Sequence, residues 1–524
     1  MICERNKIVI KSIYSNVTHI SLHSSSTSSH IRLNNNITTN NITTTIMAAK
    51  DFIVAIELGS SKITGIAGKK SMDGSLQVLA VVREDATTCI RKGVVYNIDK
   101  TSVCLASIIK KLQTLLKSEI SKVYVGVGGQ SIRSIRNCSV KTLPEDTIIS
   151  QDIINELMDN NRSTQYTDLE ILDAATQEYK MGTLYQIDPV GIQSDRIEGN
   201  FLNIVCRKAF YRNLNKCFEK ANITIAEMYL APVALAHSIL TDDEMRSGCL
   251  LVDLGAGTTT VSVYYKNILR HLAVLPLGGN EITKDITTLL LEEDEAEKLK
   301  VDHAVAFVEP TETDTDAMLP IDNERAVPAK AFYELVEARV NEIIQNVWFG
   351  QVAPEYKDRL LGGIILTGGG SNMKGMKKAF SAITGIQKIR IAGTVKQKVT
   401  SNNKDINAQN GMMNTALGLL AKGDMNCSGA AIHPTTNFFD TNGQTNSLTT
   451  DTQKTTNSKP CETGRVESPD ERLLREKTRL REDKTIPNKP IAPSKGGWLY
   501  RGYRFLQNLG TTIISAENED DYKC

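Results

Sequence analysis

The run Cys249–Tyr265, CLLVDLGAGTTTVSVYY, decides the fold. Leu250, Leu251 and Val252 form an apolar run that reads as a buried strand. The strand ends in Asp253, and after Leu254 comes a turn of small residues, Gly255-Ala256-Gly257-Thr258-Thr259. Val261, Val263 and Tyr265 then alternate with Ser262 and Tyr264, the period of a second strand. A hairpin with so little bulk at its turn leaves backbone N–H groups and small hydroxyls open to phosphate oxygens. A carboxylate at the strand end can hold Mg²⁺ through water, because this ion keeps its waters and takes one or two carboxylates. Alone, a Gly-x-Gly turn is more often a tight hairpin and nothing more.

A second copy changes the weighing. Residues 52–68, FIVAIELGSSKITGIAG, repeat the grammar: an apolar run, the acid Glu57, Leu58-Gly59, the hydroxyl pair Ser60-Ser61, then Lys62 and a strand with Ile63 and Ile66. Two such hairpins predict two similar lobes gripping one polyphosphate from opposite sides.

The chain around them is long enough for several domains, with 524 residues and 41% hydrophobic content. A net charge of +1 gives no reason to expect nucleic acid as a partner. Ten cysteines without a C-x-x-C pair fit free thiols better than a disulfide or zinc framework. No apolar stretch is long enough for a transmembrane helix. Residues 1–46 are rich in Ser, Thr and Asn and read as a disordered extension, with Met47 as the expected true start. Between the hairpins, strands are expected at 76–83 and 123–127 and helices at 101–117, 209–221 and 228–240. Residues 134–208 read as a small α+β insertion, with a helix near 150–161 and strands near 185–192 and 201–206. After the second hairpin come a strand at 272–277, a charged helix at 281–300, an acidic loop at 309–326 and a long helix at 329–347. A buried strand at 363–366 leads into Thr367-Gly368-Gly369-Gly370, a helix at 373–380 and a final apolar helix at 410–421.

Residues 422–494 are polar and read as a disordered linker. Residues 495–515 differ: Trp498, Leu499, Phe505, Leu506, Leu509 and Ile513 share one helical face, with Arg501 and Arg504 on the other. Large aromatics beside arginines suit a membrane surface, the alternative being a helix that docks on its own domain or in a partner's groove.

No G-x-x-x-x-G-K-[ST] run is present, and Gly126-Val127-Gly128-Gly129-Gln130-Ser131 fails the dinucleotide pattern at its last glycine. Glycines at 368–370 permit a close backbone approach, against which an adenine or ribose can lie. Glu334, Glu337 and Arg339 on the preceding helix are placed to reach ribose hydroxyls, although such a pattern is also that of a solvated face.

Taken in order, these pieces resemble the actin/Hsp70/sugar-kinase superfamily and, within it, the bacterial FtsA cell-division family. The residues that carry the likeness are VAIELGSSKI at 54–63, CLLVDLGAGTTTVSVY at 249–264, HLAVLPLGGNEITKDI at 271–286, FYELVEARVNEI at 332–343, IILTGGGSNMKGM at 364–376 and NTALGLL at 414–420. TQEY at 176–179 with DPVG at 188–191 resembles the insertion particular to that family, called subdomain 1C or the SHS2 domain. The resemblance implies an α/β fold of two actin-like lobes: 50–133 with 209–247 (1A), the insertion at 134–208 (1C), 248–279 with 351–421 (2A) and 280–350 (2B). It implies ATP with Mg²⁺. Gly59, Ser60, Ser61 and Lys62 would form one phosphate loop and Asp253, Gly255, Gly257, Thr258 and Thr259 the other, with Asp253 on the metal through water. Glu337, Arg339, Gly368, Gly369 and Gly370 would face the nucleoside. It further implies polymers on the inner membrane at the division site, anchored by Trp498, Leu499, Arg501, Arg504, Phe505, Leu506 and Leu509. The polymer would recruit FtsZ through a C-terminal peptide docked on 280–350, and later division proteins after it.

The chain departs from the family pattern at Ala256 and Thr260, where a glycine and an Asp are usual, and at Ala231, where hydrolases of the superfamily carry Glu or Gln. At most slow hydrolysis is therefore expected. Alternatives on the same fold are a PilM-type pilus-assembly ATPase, which lacks the terminal helix, and a small-molecule kinase, which needs a catalytic acid in the cleft. A chaperone of the Hsp70 type would need a peptide-binding β domain, for which residues 422–494 are too polar.

Overall fold

The computed structural model describes residues 51–309 and 317–429. The chain divides into two units, residues 1–434 and 435–524, and all described residues lie in the first. The expected N-terminal extension, most of the linker and the terminal helix fall outside the described residues.

The first hairpin is β1 (Ile53–Leu58) and β2 (Lys62–Lys70), continued by β3 (Leu76–Asp85). A two-residue turn joins the short strands β4 (Ile90–Arg91) and β5 (Val94–Val95). Helix α1 (Ile98–Leu116) starts where the Asn97 side chain accepts from the Lys100 N–H, and it buries Leu105, Ile108 and Leu112 against the sheet. Strand β6 (Val123–Val127) leads into the insertion: β7 (Arg133–Thr142), α2 (Gln151–Arg162), β8 (Leu169–Met181), β9 (Leu184–Gln186) and β10 (Arg196–Arg207). Helix α3 (Lys208–Lys220), β11 (Ile225–Leu230), α4 (Ala231–Ile239) and α5 (Asp242–Ser247) complete the first half.

The second half repeats the plan. Its hairpin is β12 (Cys249–Leu254) with β13 (Thr259–Tyr265), followed by β14 (Ile268–Leu275). Then come α6 (Gly279–Ile286), α7 (Glu293–His303), the short strands β15 (Met318–Pro320) and β16 (Ala326–Pro328), and α8 (Ala329–Gly350). The chain closes with α9 (Pro354–Lys357), β17 (Gly363–Thr367), α10 (Met376–Thr384), β18 (Ile389–Ile391), β19 (Val399–Thr400), α11 (Lys404–Asn407) and α12 (Asn414–Lys422).

One sheet runs β11-β6-β1-β2-β3-β19, and the other contains β18-β17-β12-β13-β14 in the same order. In both, the hairpin is antiparallel and its first strand pairs in parallel with the next strand inward. The duplication read from two short motifs therefore extends over five strands of each sheet. The apolar run of β12, with Leu250 and Val252 wholly buried, needs cover on both faces. Leu250 and Val252 face the core beneath α8, while Leu251 faces the core shared with α4 and α12. Each such side chain stabilises the fold by about 1.5–3 kcal/mol.

The insertion belongs to the first half by connectivity, yet its strands extend the second sheet: β7 joins β14 at Ala273↔Arg133, and β10, β8 and β9 follow. The seam is polar. Ser134 Oγ accepts from the Leu272 N–H at 2.9 Å, and Gln177 Nε2 donates to the Leu269 carbonyl at 3.0 Å. Buried Asn161 and Asn203 exchange amide hydrogen bonds of 2.7 and 3.0 Å and hold α2 on this sheet.

Four sequence expectations are corrected. Residues 228–240 are not one helix: β11 ends at Leu230 and α4 begins at Ala231, with Pro232 in its first turn. A short apolar run does not by itself separate buried strand from helix. The helix expected at 281–300 is broken by a 3₁₀ turn at Thr287–Leu289 and by Leu290 at φ 64°. The acidic loop contains the hairpin β15–β16. Strands β7 and β8 lie outside the expected elements: β7 is half-buried or exposed along its whole length, so it shows no apolar alternation, and two register shifts interrupt the pairing of β8 with β10.

Candidate functional site

The site lies where the two hairpin turns meet. Each closes in the same way: the Gly59 N–H donates to the Lys62 carbonyl at 3.0 Å, and the Gly255 N–H to the Thr258 carbonyl at 2.9 Å. The N–H groups of Ser60, Ser61, Ala256, Gly257 and Thr258 have no backbone partner among the described residues. A Cβ on Gly257 would stand 2.9 Å from both Cβ and Oγ of Ser60, so only glycine lets the turns come this close. Two sets of free donors thus face one space, the arrangement that backbone nests use for anions.

At the ends of β1 and β12 stand Glu57 and Asp253, each half-buried. Burial, and then the Asp253 charge, push the Glu57 carboxyl up to about 8; burial pushes Asp253 up to about 6. Among the described residues no cation or hydrogen bond stabilises either charge. Two acids that repel each other in a half-buried cleft are relieved by a divalent cation. Among the described residues no group of three or more His, Cys, Asp or Glu gathers for a metal. A two-carboxylate site suits an ion that keeps most of its waters. Gly368, at φ 82°, packs against Asp253 Oδ1 with no room for a side chain.

Beside the second turn an open slot of about 320 Å³ lies between Gly255, Gly279 and Gly370 on one side and Ile343, Ile344 and Met376 on the other. Its aliphatic walls and glycine rim suit a flat, apolar-faced group. The rim is braced: the Gly279 N–H donates to the Gly255 carbonyl at 3.0 Å and the Asn280 N–H to the Ala256 carbonyl at 2.7 Å. Lys300, nearly buried, donates to the Gly279 carbonyl at 3.0 Å and Thr283 Oγ1 at 2.8 Å.

The structure gathers Gly59, Ser60, Ser61, Asp253, Gly255, Gly257 and Thr258 at the turns and Gly370 at the slot. Lys62 opens β2 with its side chain exposed, Gly369 lies open, and Glu337 is half-buried on α8. Two expected roles change. Thr259 is fully buried and its hydroxyl donates to the Leu277 carbonyl at 2.8 Å, so it ties the hairpin to the next turn instead of facing the cleft. Arg339 grips Asp285 with two bonds of 2.6 and 2.9 Å and also pairs with Glu342, which commits its guanidinium to bracing α8 on α6. Glu57 and Lys300 were not assigned. Glu57 was legible by symmetry, since it precedes Leu58-Gly59 as Asp253 precedes Leu254-Gly255. Lys300 was hidden in a charged helix. Trp498, Leu499, Arg501, Arg504, Phe505, Leu506 and Leu509 lie outside the described residues. No helix among the described residues is long and apolar enough to cross a membrane.

Comparison with known proteins agrees with this architecture. The family described as cell division protein FtsA matches residues 250–418, and the SHS2 domain inserted in FtsA matches residues 129–205. The cell division protein FtsA of Porphyromonas gingivalis is 32% identical over 63% of this chain and 71% of that protein. Its counterpart in Pseudomonas aeruginosa is 28% identical over 62% and 78%, and that of Escherichia coli K12 is 25% identical over 62% and 80%. A solved PilM–PilN type IV pilus biogenesis complex aligns with a TM-score of 0.49 at 13% identity, covering 73% of this chain and 99% of that one, a likeness too slight to bear on function. With its duplicated sheets, its inserted domain where that family carries one, and relatives matched over most of their length, the chain belongs to the FtsA family of cell-division proteins, on an actin-like α/β fold.

Proposed function

We propose that this chain is an ATP-binding, actin-like division protein that assembles on the inner face of the membrane and tethers FtsZ filaments there. The observation that carries the reading is the meeting of the two turns at Ser60 and Gly257, with free N–H groups on both sides and the unpaired Glu57 and Asp253 beneath. These residues fit Mg·ATP. The donors of 60–61 and 256–258 would take phosphate oxygens, the two carboxylates would hold the ion through its waters, and the slot beside Gly370 would take the base. When bound, Mg²⁺ neutralises charge on the phosphate oxygens. Hydrolysis would be slow, because α4 presents Ala231 and β13 presents Thr260 where superfamily hydrolases place groups that orient water.

Residues 280–350 would receive the FtsZ C-terminal peptide, head-to-tail copies would form the polymer, and later division proteins would join it. The terminal helix at 495–515 would hold the assembly on lipid, with many weak anchors adding through avidity. Co-sedimentation of the full chain with FtsZ and with anionic liposomes tests this. Mg·ATP is expected to increase the liposome-bound fraction, and FtsZ to pellet only when the chain is present. Failure of FtsZ to pellet with the membrane-bound chain would refute the tether.

A further inference from the structure

The hairpin β4–β5 lies apart from both phosphate turns in sequence, but its tip reaches them. Lys92 and Gly93 at the tip adopt φ of 51° and 72°, a tight two-residue turn of the kind that strand twist favours. The Gln130 N–H donates to the Lys92 carbonyl at 3.0 Å, which pins the tip to the loop after β6. A Cβ on Gly257 would stand 3.6 Å from Lys92 Cα and 2.9 Å from Ser60, so the Lys92 backbone borders the point where the two turns meet. From there the side chain crosses to the second lobe. Its Nζ donates to the Pro276 carbonyl at 2.8 Å and lies 3.4 Å from Glu281 Oε1. The other Glu281 oxygen accepts from the Gly278 N–H at 2.9 Å, within the turn that braces Gly255 and Ala256.

The 3.4 Å contact is a loose one, from a lysine side chain two-fifths exposed. A lysine on a flexible stem can change partners where a fixed arginine fork cannot. Resting on the nucleotide reading above, we infer that Lys92 is a specificity-determining residue that recognises the terminal phosphate of a nucleoside triphosphate. Its ammonium leaves Glu281 for that phosphate while its backbone stays fixed at the tip. A diphosphate offers no such partner, and Lys92 remains on Glu281.

The test is calorimetric titration of the full chain with Mg·ATP and with Mg·ADP. The variants are Lys92→Met, which keeps the stem and removes the charge, and Glu281→Gln, which keeps an acceptor for the Gly278 N–H and removes the competing carboxylate. Lys92→Met is expected to lose about tenfold to a hundredfold in ATP affinity, the scale of a charge-assisted hydrogen bond, and less than about threefold for ADP. Glu281→Gln is expected to raise the preference for ATP. Equal losses for ATP and ADP in Lys92→Met, or no loss, would overturn the inference and leave the nucleotide site standing. If the unaltered chain binds neither nucleotide, the site reading falls, and the inference with it.

Discussion

Replacing Glu57 with Gln should make the metal-free protein more stable while impairing the site. Glu57 sits at the end of β1 facing Asp253, and its folded carboxyl is pushed from 4.5 up to about 8. A raised carboxyl gives its full contribution to stability below the ordinary value and loses it as pH rises through the folded one. At pH 7 the unfolded chain has released this proton and the folded chain still holds it. That difference spans about 2.5 pH units at about 1.4 kcal/mol each, roughly 3.5 kcal/mol. The cleft is partly open to water, so a gain of about 1–3 kcal/mol is expected for Glu57→Gln. Urea unfolding in EDTA should show a higher midpoint for the variant at pH 7.5 and a much smaller difference at pH 5. Saturating Mg·ATP should narrow the gap or reverse it, since ligand at a hundred times its Kd stabilises the unaltered protein by about 2.7 kcal/mol and the variant by less. A variant no more stable than the unaltered protein at pH 7.5, or an offset equal at both pH values, would refute the reasoning.

Other outcomes are expected from the same structure. Gly257→Val would force a side chain into Ser60, at a strain of about 1–3 kcal/mol, and should cut ATP affinity about tenfold to a hundredfold by calorimetry; unchanged affinity would show that the turns do not grip one ligand. His237 is held down to about 4 by burial, then by Lys422, whose Nζ lies 2.7 Å from its Nδ1, and by Lys396, against a smaller opposing effect of Asp242. A depressed histidine gives stability above its ordinary 6.5 that is lost as pH falls toward 4, so His237→Gln should flatten the acid side of the stability profile between those values. Joint Trp498→Glu and Phe505→Glu should release the chain from anionic liposomes in flotation without changing ATP affinity, each buried side chain having contributed about 1.5–3 kcal/mol.

Much of this was legible in the sequence, for a physical reason. A strand buried on both faces must be a continuous apolar run, and a turn that approaches another backbone must be small. Residues 249–265 and 52–68 meet both demands and can be read without partners. What stayed hidden depends on distant contacts. Strands β7 and β8 are half-buried along much of their length, the pairing of β8 with β10 shifts register twice, and β7 meets β14 only through the fold. Arg339 reads as a ligand group until Asp285, 54 positions away, takes its fork. Lys92 and Lys300 are ordinary surface lysines in sequence, and only the fold brings them to the rim of the cleft.

Calorimetry of Mg·ATP against the full chain and against Asp253→Ala, with circular dichroism to confirm that both are folded, tests the central claim most directly. Asp253 stands beside the second turn and packs on Gly368, so its loss would remove half of the proposed two-carboxylate site. One nucleotide per unaltered chain, and none detected for folded Asp253→Ala, is the predicted result. No binding by the unaltered chain, or equal affinity in the variant, would contradict the account.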